Sequence, residues 1–148
     1  MWPLPELAAR PTIIASTASG IELGYDDDVS QNRFVPVFAA CDGVITFAAR
    51  STAGYTVSLD HAAGWSTHYG HLEHMFMLAT DRFRSRRKER VRAGDVLGYS
   101  GRAPVRVTFE VWRAGDAGHT TADPAARLRN ALVLPWSELR TPASNLAA

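Results

Sequence analysis

Within the nine residues PVRVTFEVW, ending at Trp112, apolar and polar side chains alternate strictly from Val105 to Val111. Val105, Val107, Phe109 and Val111 fall on one side of an extended chain, and Arg106, Thr108, Glu110 and Trp112 on the other. A helix would scatter both rows around its surface. A sheet with one packed and one open face satisfies both at once, and that is the habit of antiparallel sheets. Glu110 and Trp112 are then expected to flank an open face, with Arg106 and Thr108 between its walls.

The segments before it agree. TIIAS, VPVFAA, GVITFAA, YTVSLDH and GWSTHYGHL are short and rich in β-branched and aromatic residues, and Gly, Asp or Asn separate them. Two stretches predict helices instead. From Leu72 to about Arg90 no Gly or Pro intervenes, and Leu72, Phe76, Ala79 and Phe83 recur at helical spacing. In DPAARLRNAL, Asp123 suits an N-cap and Pro124 the first helical position. The ends, residues 1–10 and 138–148, read as loosely attached arms. At 148 residues the chain has the length of one domain.

Lone Cys41 excludes an internal disulfide and a thiolate metal cluster. No apolar run reaches the length of a membrane span. The opening MWPLPELAARP has neither the basic nor the apolar region of a secretory signal. The expected location is therefore the cytoplasm, or outside the cell by a route the sequence does not reveal. Net charge is only +1, yet Arg82, Arg84, Arg86, Arg87, Lys88, Arg90 and Arg92 crowd into RFRSRRKERVR. This basic run reads as a solvated face or as a contact for an anionic partner.

The order VPVFAACDGVITFAA, GYTVSLDHAAGWSTHYGHL, VRAGDVLGYSG, VRVTFEVWRAG, ADP resembles the lysostaphin/LytM-type zinc endopeptidases of bacterial cell walls. The resemblance runs from about residue 24 to 128. It implies a mainly β fold of the duplicated hybrid motif type, a compact antiparallel sheet core crossed by a shallow groove, to which the two helical stretches add one inserted and one C-terminal short helix. It also implies a groove zinc, held by the His and Asp of an HxxxD motif and the second His of HxH. The first His of HxH and the His of YxHL assist the attacking water, and the substrate is a peptide cross-link of peptidoglycan.

Carried over residue by residue, the pattern survives only in part. His71 matches the YxHL histidine. Arg106 and Thr108 stand at the two HxH positions, a fixed cation and a poor zinc ligand. For HxxxD, a gapless reading gives Gly24 and Asp28, and a two-residue shift gives Glu22 and Asp26. No histidine precedes His61. A catalytic zinc keeps three protein ligands and an open water position, so the expectation is a domain without a metal or other cofactor, serving as a binding, regulatory or structural module. Peptidoglycan, a cell-wall amidase or the proteins of a phage or secretion assembly are the partners this implies. The alternative is a divergent zinc endopeptidase using Glu22, Asp26 or Asp28, and His71.

The histidine-rich STHYGHLEH invites a metal reading of its own. His68 and His71, three apart on a strand, should face opposite ways, and His71 with His74 on a helix makes only a pair. Hydrogen-bonded or solvated histidines are the expectation. His61 sits in a turn and reads as structural, and His119 carries no signal. Over the groove, the segment packing Phe76, Ala79 and Phe83 is expected as an exposed helix or a lid.

Overall fold

The structure, a computed structural model, describes residues 1–26, 34–75, 89–101, 105–115 and 118–135. The strands are β1 (Thr12–Ser16), β2 (Ile21–Gly24), β3 (Val35–Phe38), β4 (Gly43–Ser51), β5 (Gly54–Asp60), β6 (Trp65–Met75), β7 (Arg90–Val91), β8 (Val96–Ser100), β9 (Val107–Gly115) and β10 (Gly118–Ala122). They pair in the order β1-β2-β9-β6-β5-β4-β7, with β10 on β9 and β8 joining β3 to β6. Every one of these pairings is antiparallel.

The alternation in β9 is realised as expected. Val105, Val107, Phe109 and Val111 are all buried, while Thr108, Glu110 and Trp112 are half-buried and Arg106 is exposed. The buried row meets Leu23, Val57, Leu59, Tyr69 and Leu72 in one core. Tyr69 is the largest side chain wholly enclosed there. Its hydroxyl lies 2.9 Å from Thr67 Oγ1 and accepts the Ala40 N–H at 2.9 Å, so its polar end is not stranded. The turn before β8 is clamped from both sides. Arg92 N–H donates to Asp95 Oδ2 at 2.8 Å, Ala93 N–H donates to Asp42 Oδ1 at 2.8 Å, and Gly94 takes the left-handed conformation at φ 89°.

The helix at the C-terminal end is present. Helix α1 spans Pro124–Leu128, and Asp123 Oδ1 caps it by accepting the Ala125 N–H at 3.0 Å. The inserted helix is corrected at its start: Leu72 to Met75 are the extended end of β6. Leu72 pairs with Tyr55 on one side and Ser100 on the other, and His74 pairs with Tyr99. Two strand neighbours satisfy more backbone groups than the first turn of a helix, whose leading N–H groups have no partner. The rest of that reading, with Phe76, Ala79 and Phe83, lies outside the described residues.

The first arm is also corrected. Leu4 is fully buried, and Trp2 and Leu7 pack on the core. Trp2 N–H donates to Leu132 O at 2.8 Å and Glu6 N–H to Leu134 O at 2.7 Å. Phe38 N–H donates to Pro3 O at 2.7 Å, and the Tyr25 hydroxyl to Pro5 O at 2.6 Å. Pro3 and Pro5 hold the segment extended and lack N–H groups to satisfy, so it lies along the sheet edge at little entropic cost. The arm at 138–148 lies outside the described residues.

Candidate functional site

The open face of the sheet is built from β2, β9, β6 and β5. Opposite partners are Glu22 and Thr108, Gly70 and Thr108, His68 and Glu110, Ser66 and Trp112, and Ser58 and His68. Register therefore puts the polar row of β9 beside that of β6 on the open face, where the resemblance places the groove. The floor is held by hydrogen bonds between its own side chains. The two ring nitrogens of His68 lie 2.6 Å from Ser58 Oγ and 3.3 Å from Ser66 Oγ. Trp112 Nε1–H donates to Glu110 Oε1 at 2.8 Å, and the Trp112 ring meets His68 edge-on at 6.2 Å.

At one end of the groove, Arg106 Nε and Glu22 Oε2 are 3.4 Å apart, with 55% and 17% of the respective side chains exposed. The pair joins two strands whose only covalent link is most of the chain. Its half-solvated setting makes it worth roughly 0–1 kcal/mol, so it fixes placement more than stability. Geometry thus brings Glu22, Arg106 and Thr108 together. Gly24 ends β2 opposite Thr12, and a Cβ there would meet Val105 O and Ile14. Asp26 is exposed beyond the strand, and Asp28 lies outside the described residues.

His71 sits at an irregularity. Tyr55 pairs with Leu72 but Val57 pairs with Tyr69, so Gly70 and His71 together oppose the single residue Thr56. The alternation that separates residues three apart is broken at this bulge. A Cβ on Gly70 would overlap Thr108 Oγ1, so only glycine lets β6 approach β9 here. His71 takes φ 61°, rare for a residue with a Cβ, and its Nδ1 is buried with no hydrogen-bond partner among the described residues. It borders a cleft of about 250 Å³ shared with Arg50, Tyr55 and Glu73. Because a branched side chain suits the left-handed region worst, His71→Val should destabilise the domain by about 1–2 kcal/mol while His71→Asn stays near neutral. Urea melts of the two variants check this, and equal costs would remove the strain.

The remaining histidines are placed elsewhere. His74 lies edge-on to Phe34, with ring centroids 4.7 Å apart. In the turn before β6, His61 Nδ1–H donates to Asp42 O at 2.6 Å, and Nε2 lies 2.7 Å from Thr67 Oγ1. His119 belongs to β10, where its backbone pairs with Ala114. Of the basic run, Arg90 and Arg92 are exposed at and just after β7. Arg82, Arg84, Arg86, Arg87 and Lys88 lie outside the described residues. His68 is hydrogen-bonded, as one of the expectations had it, but sequence reasoning did not find its partner Ser58, which comes from a different strand.

The donors at this groove do not suit zinc. Glu22 already faces a guanidinium that keeps its proton, and Thr108 offers a neutral hydroxyl. Among the described residues, no three His, Cys, Asp or Glu side chains stand together as a metal site.

The model of peptidase family M23 matches residues 19–120. No curated protein matches the sequence. A protein of Ruminococcus gnavus assigned as a glycyl-glycine endopeptidase, LytM, superposes with a TM-score of 0.69 at 19% identity over 90% of this chain. The chain spans 61% of that structure's length. In a crystal structure of the SpoIIIAH and SpoIIQ complex, the matching chain gives a TM-score of 0.63 at 19% identity, covering 85% of this chain and 97% of that one. The catalytic domain of the prophage-encoded M23 protein EnpA from Enterococcus faecalis, a point mutant, gives 0.53 at 20% identity, with 83% and 90% covered. At these identities the structural likeness is one of fold.

Proposed function

Since the chain belongs to peptidase family M23, we propose that it keeps that family's groove as a binding surface and has given up peptide hydrolysis there. The observation that carries this reading is the Arg106–Glu22 pair beside Thr108. A fixed positive charge stands where the resemblance calls for a histidine next to a cation, and the carboxylate of Glu22 is turned toward it. Neither group can lower the pKa of a bound water as a catalytic zinc does. What the groove retains is rigidity: His68, Glu110 and Trp112 are each held by a neighbour, and pre-set side chains suit recognition.

The role that follows is a binding, regulatory or structural module. Peptidoglycan, a cell-wall amidase or an assembly protein are the partners to try, with the Arg82–Arg92 run as a contact for an anionic one. Support for a protein partner comes from the similar fold crystallised in the SpoIIIAH and SpoIIQ complex. The core proposed for this module is residues 24–128, within a single domain.

Protein purified without a histidine tag should carry far less than one zinc per chain and release no peptides from bacterial cell walls. Elemental analysis and a wall-digestion assay measure the two. One zinc per chain, removable by a chelator, together with hydrolysis lost in His71→Ala, would establish the second reading, a divergent zinc endopeptidase. The strained His71, whose buried Nδ1 has no hydrogen-bond partner among the described residues, is what favours that reading.

A further inference from the structure

The packed face of the sheet, opposite the groove, carries a cavity of about 430 Å³. That is within the range of small-ligand sites, which are mostly apolar with a few polar groups at the edge. Thr67, Phe109 and Val111 form its floor, Ala40, Trp65 and Leu128 its walls, and Asp42, His61 and Arg127 stand at its polar side. These floor residues belong to the same strands as the groove but point the other way, so the two sites share β6 and β9 back to back.

Most polar groups around the cavity are already occupied. His61 uses both ring nitrogens, on Asp42 O and Thr67 Oγ1, and Thr67 Oγ1 also lies 2.9 Å from the Tyr69 hydroxyl. Asp42 Oδ1 accepts the Ala93 N–H. Groups satisfied in this way shape a wall without recruiting a ligand. Arg127 differs. Its guanidinium carbon lies 3.8 Å from the centroid of the Trp65 ring, and among the described residues no carboxylate is within ion-pair distance of it. Stacking occupies the face of the guanidinium and leaves the N–H groups along its edge to donate. A planar fork of donors suits a carboxylate, which it can hold through two parallel hydrogen bonds.

We propose that this cavity binds a small organic monocarboxylate with an aromatic or branched apolar body. The body lies on the floor of Phe109 and Val111, because the Trp65 ring is already stacked by Arg127 and also carries Arg113 at 5.2 Å, and the carboxylate takes the edge of Arg127. On the same lining the exposed carboxylate of Asp42 is offset by the Met1 α-ammonium, which donates to Ala40 O at 3.1 Å, so Arg127 is the cation left to select a single carboxylate. This site is independent of the groove and of whether the groove has lost its chemistry.

The test titrates 3-phenylpropanoate into the whole chain and follows backbone amide shifts by NMR, with 3-phenylpropanamide as its uncharged twin. Saturable shifts should centre on Thr67, Phe109 and Val111. Arg127→Gln, at an exposed position, should keep the spectrum of the fold and weaken the carboxylate by about tenfold or more, the scale of a lost charge-assisted pair. The amide should bind the parent about tenfold more weakly than the carboxylate and lose that disadvantage in Arg127→Gln. Arg106→Gln, in the groove, should change neither affinity. The proposal fails if the parent shows no saturation in the millimolar range, if Arg127→Gln binds as the parent does, or if the shifts centre on the groove and vanish with Arg106→Gln.

Discussion

Phe109→Ala should cost the domain about 3–5 kcal/mol, the usual range for removing an enclosed aromatic ring. Phe109 is 1% exposed and sits where three strands meet, opposite Ile21 of β2 and Tyr69 of β6. Its ring lies 5.5 Å from that of Tyr69 at an interplanar angle of 46°, a tilted contact that alanine cannot make. The surrounding strands are tied into the ladder on both sides, so they collapse only partly into the space left. Against a total stability of roughly 5–15 kcal/mol for a domain of this kind, the urea midpoint should fall by about 1–3 M. Thr108→Ala, one residue earlier and on the groove face, should move it by a small fraction of that. Comparable losses from the two variants would mean that the faces of β9 have been assigned the wrong way round.

That contrast is also the part of the fold most legible in the sequence. Between Val105 and Trp112 the two rows differ so sharply in polarity that only one orientation buries the apolar one. The ordered series of motifs then supplied the family, and the match over residues 19–120 agrees with it. Leu72 to Met75 were less legible because Leu72 and Phe76 fit a helical period as well as a strand. Pairing of this stretch with both β5 and β8 decides the matter, and such long-range partners are absent from any local window. The N-terminal segment misled for a related reason. Trp2, Leu4 and Leu7, interspersed with prolines, show no period, yet each finds a place on the core.

At the groove, residue types were readable but neighbours were not. Arg106 and Thr108 could be set on the polar row of β9 from alternation alone. Which acidic residue faced them depended on the unknown register of β2, and the pairing of Glu22 with Thr108 is what brings that carboxylate to Arg106. Alternation alone set His68 and His71 on opposite faces, but strict alternation holds only until the bulge at Gly70. The signal available was the glycine itself, since a glycine inside a strand often marks a bulge or a close approach.

Alkaline pH should unfold this domain steeply, and the buried tyrosines say why. Burial pushes the hydroxyls of Tyr25 and Tyr69 well above the usual tyrosine value near 10. The sign follows from which state holds the proton. Above pH 10 the unfolded chain releases both protons while the folded chain keeps them, so the stability they contribute is complete below that pH. It is lost as pH rises toward the folded-state values. Each group removes about 1.4 kcal/mol per pH unit in that window, and the two together up to roughly 2.7. Urea midpoints measured between about pH 9 and 11 should therefore fall progressively, with most of the loss above 10. Tyrosinate absorbance supplies the independent readout: part of the signal should appear only as the chain unfolds. Tyr69→Phe should roughly halve the slope, after an initial cost at neutral pH from the lost hydroxyl contacts with Ala40 and Thr67. If all four tyrosines titrate near pH 10 with the fold intact, Tyr69 is not enclosed. The strand carrying His68 and Gly70 would then lack the anchor on which the geometry of the groove depends.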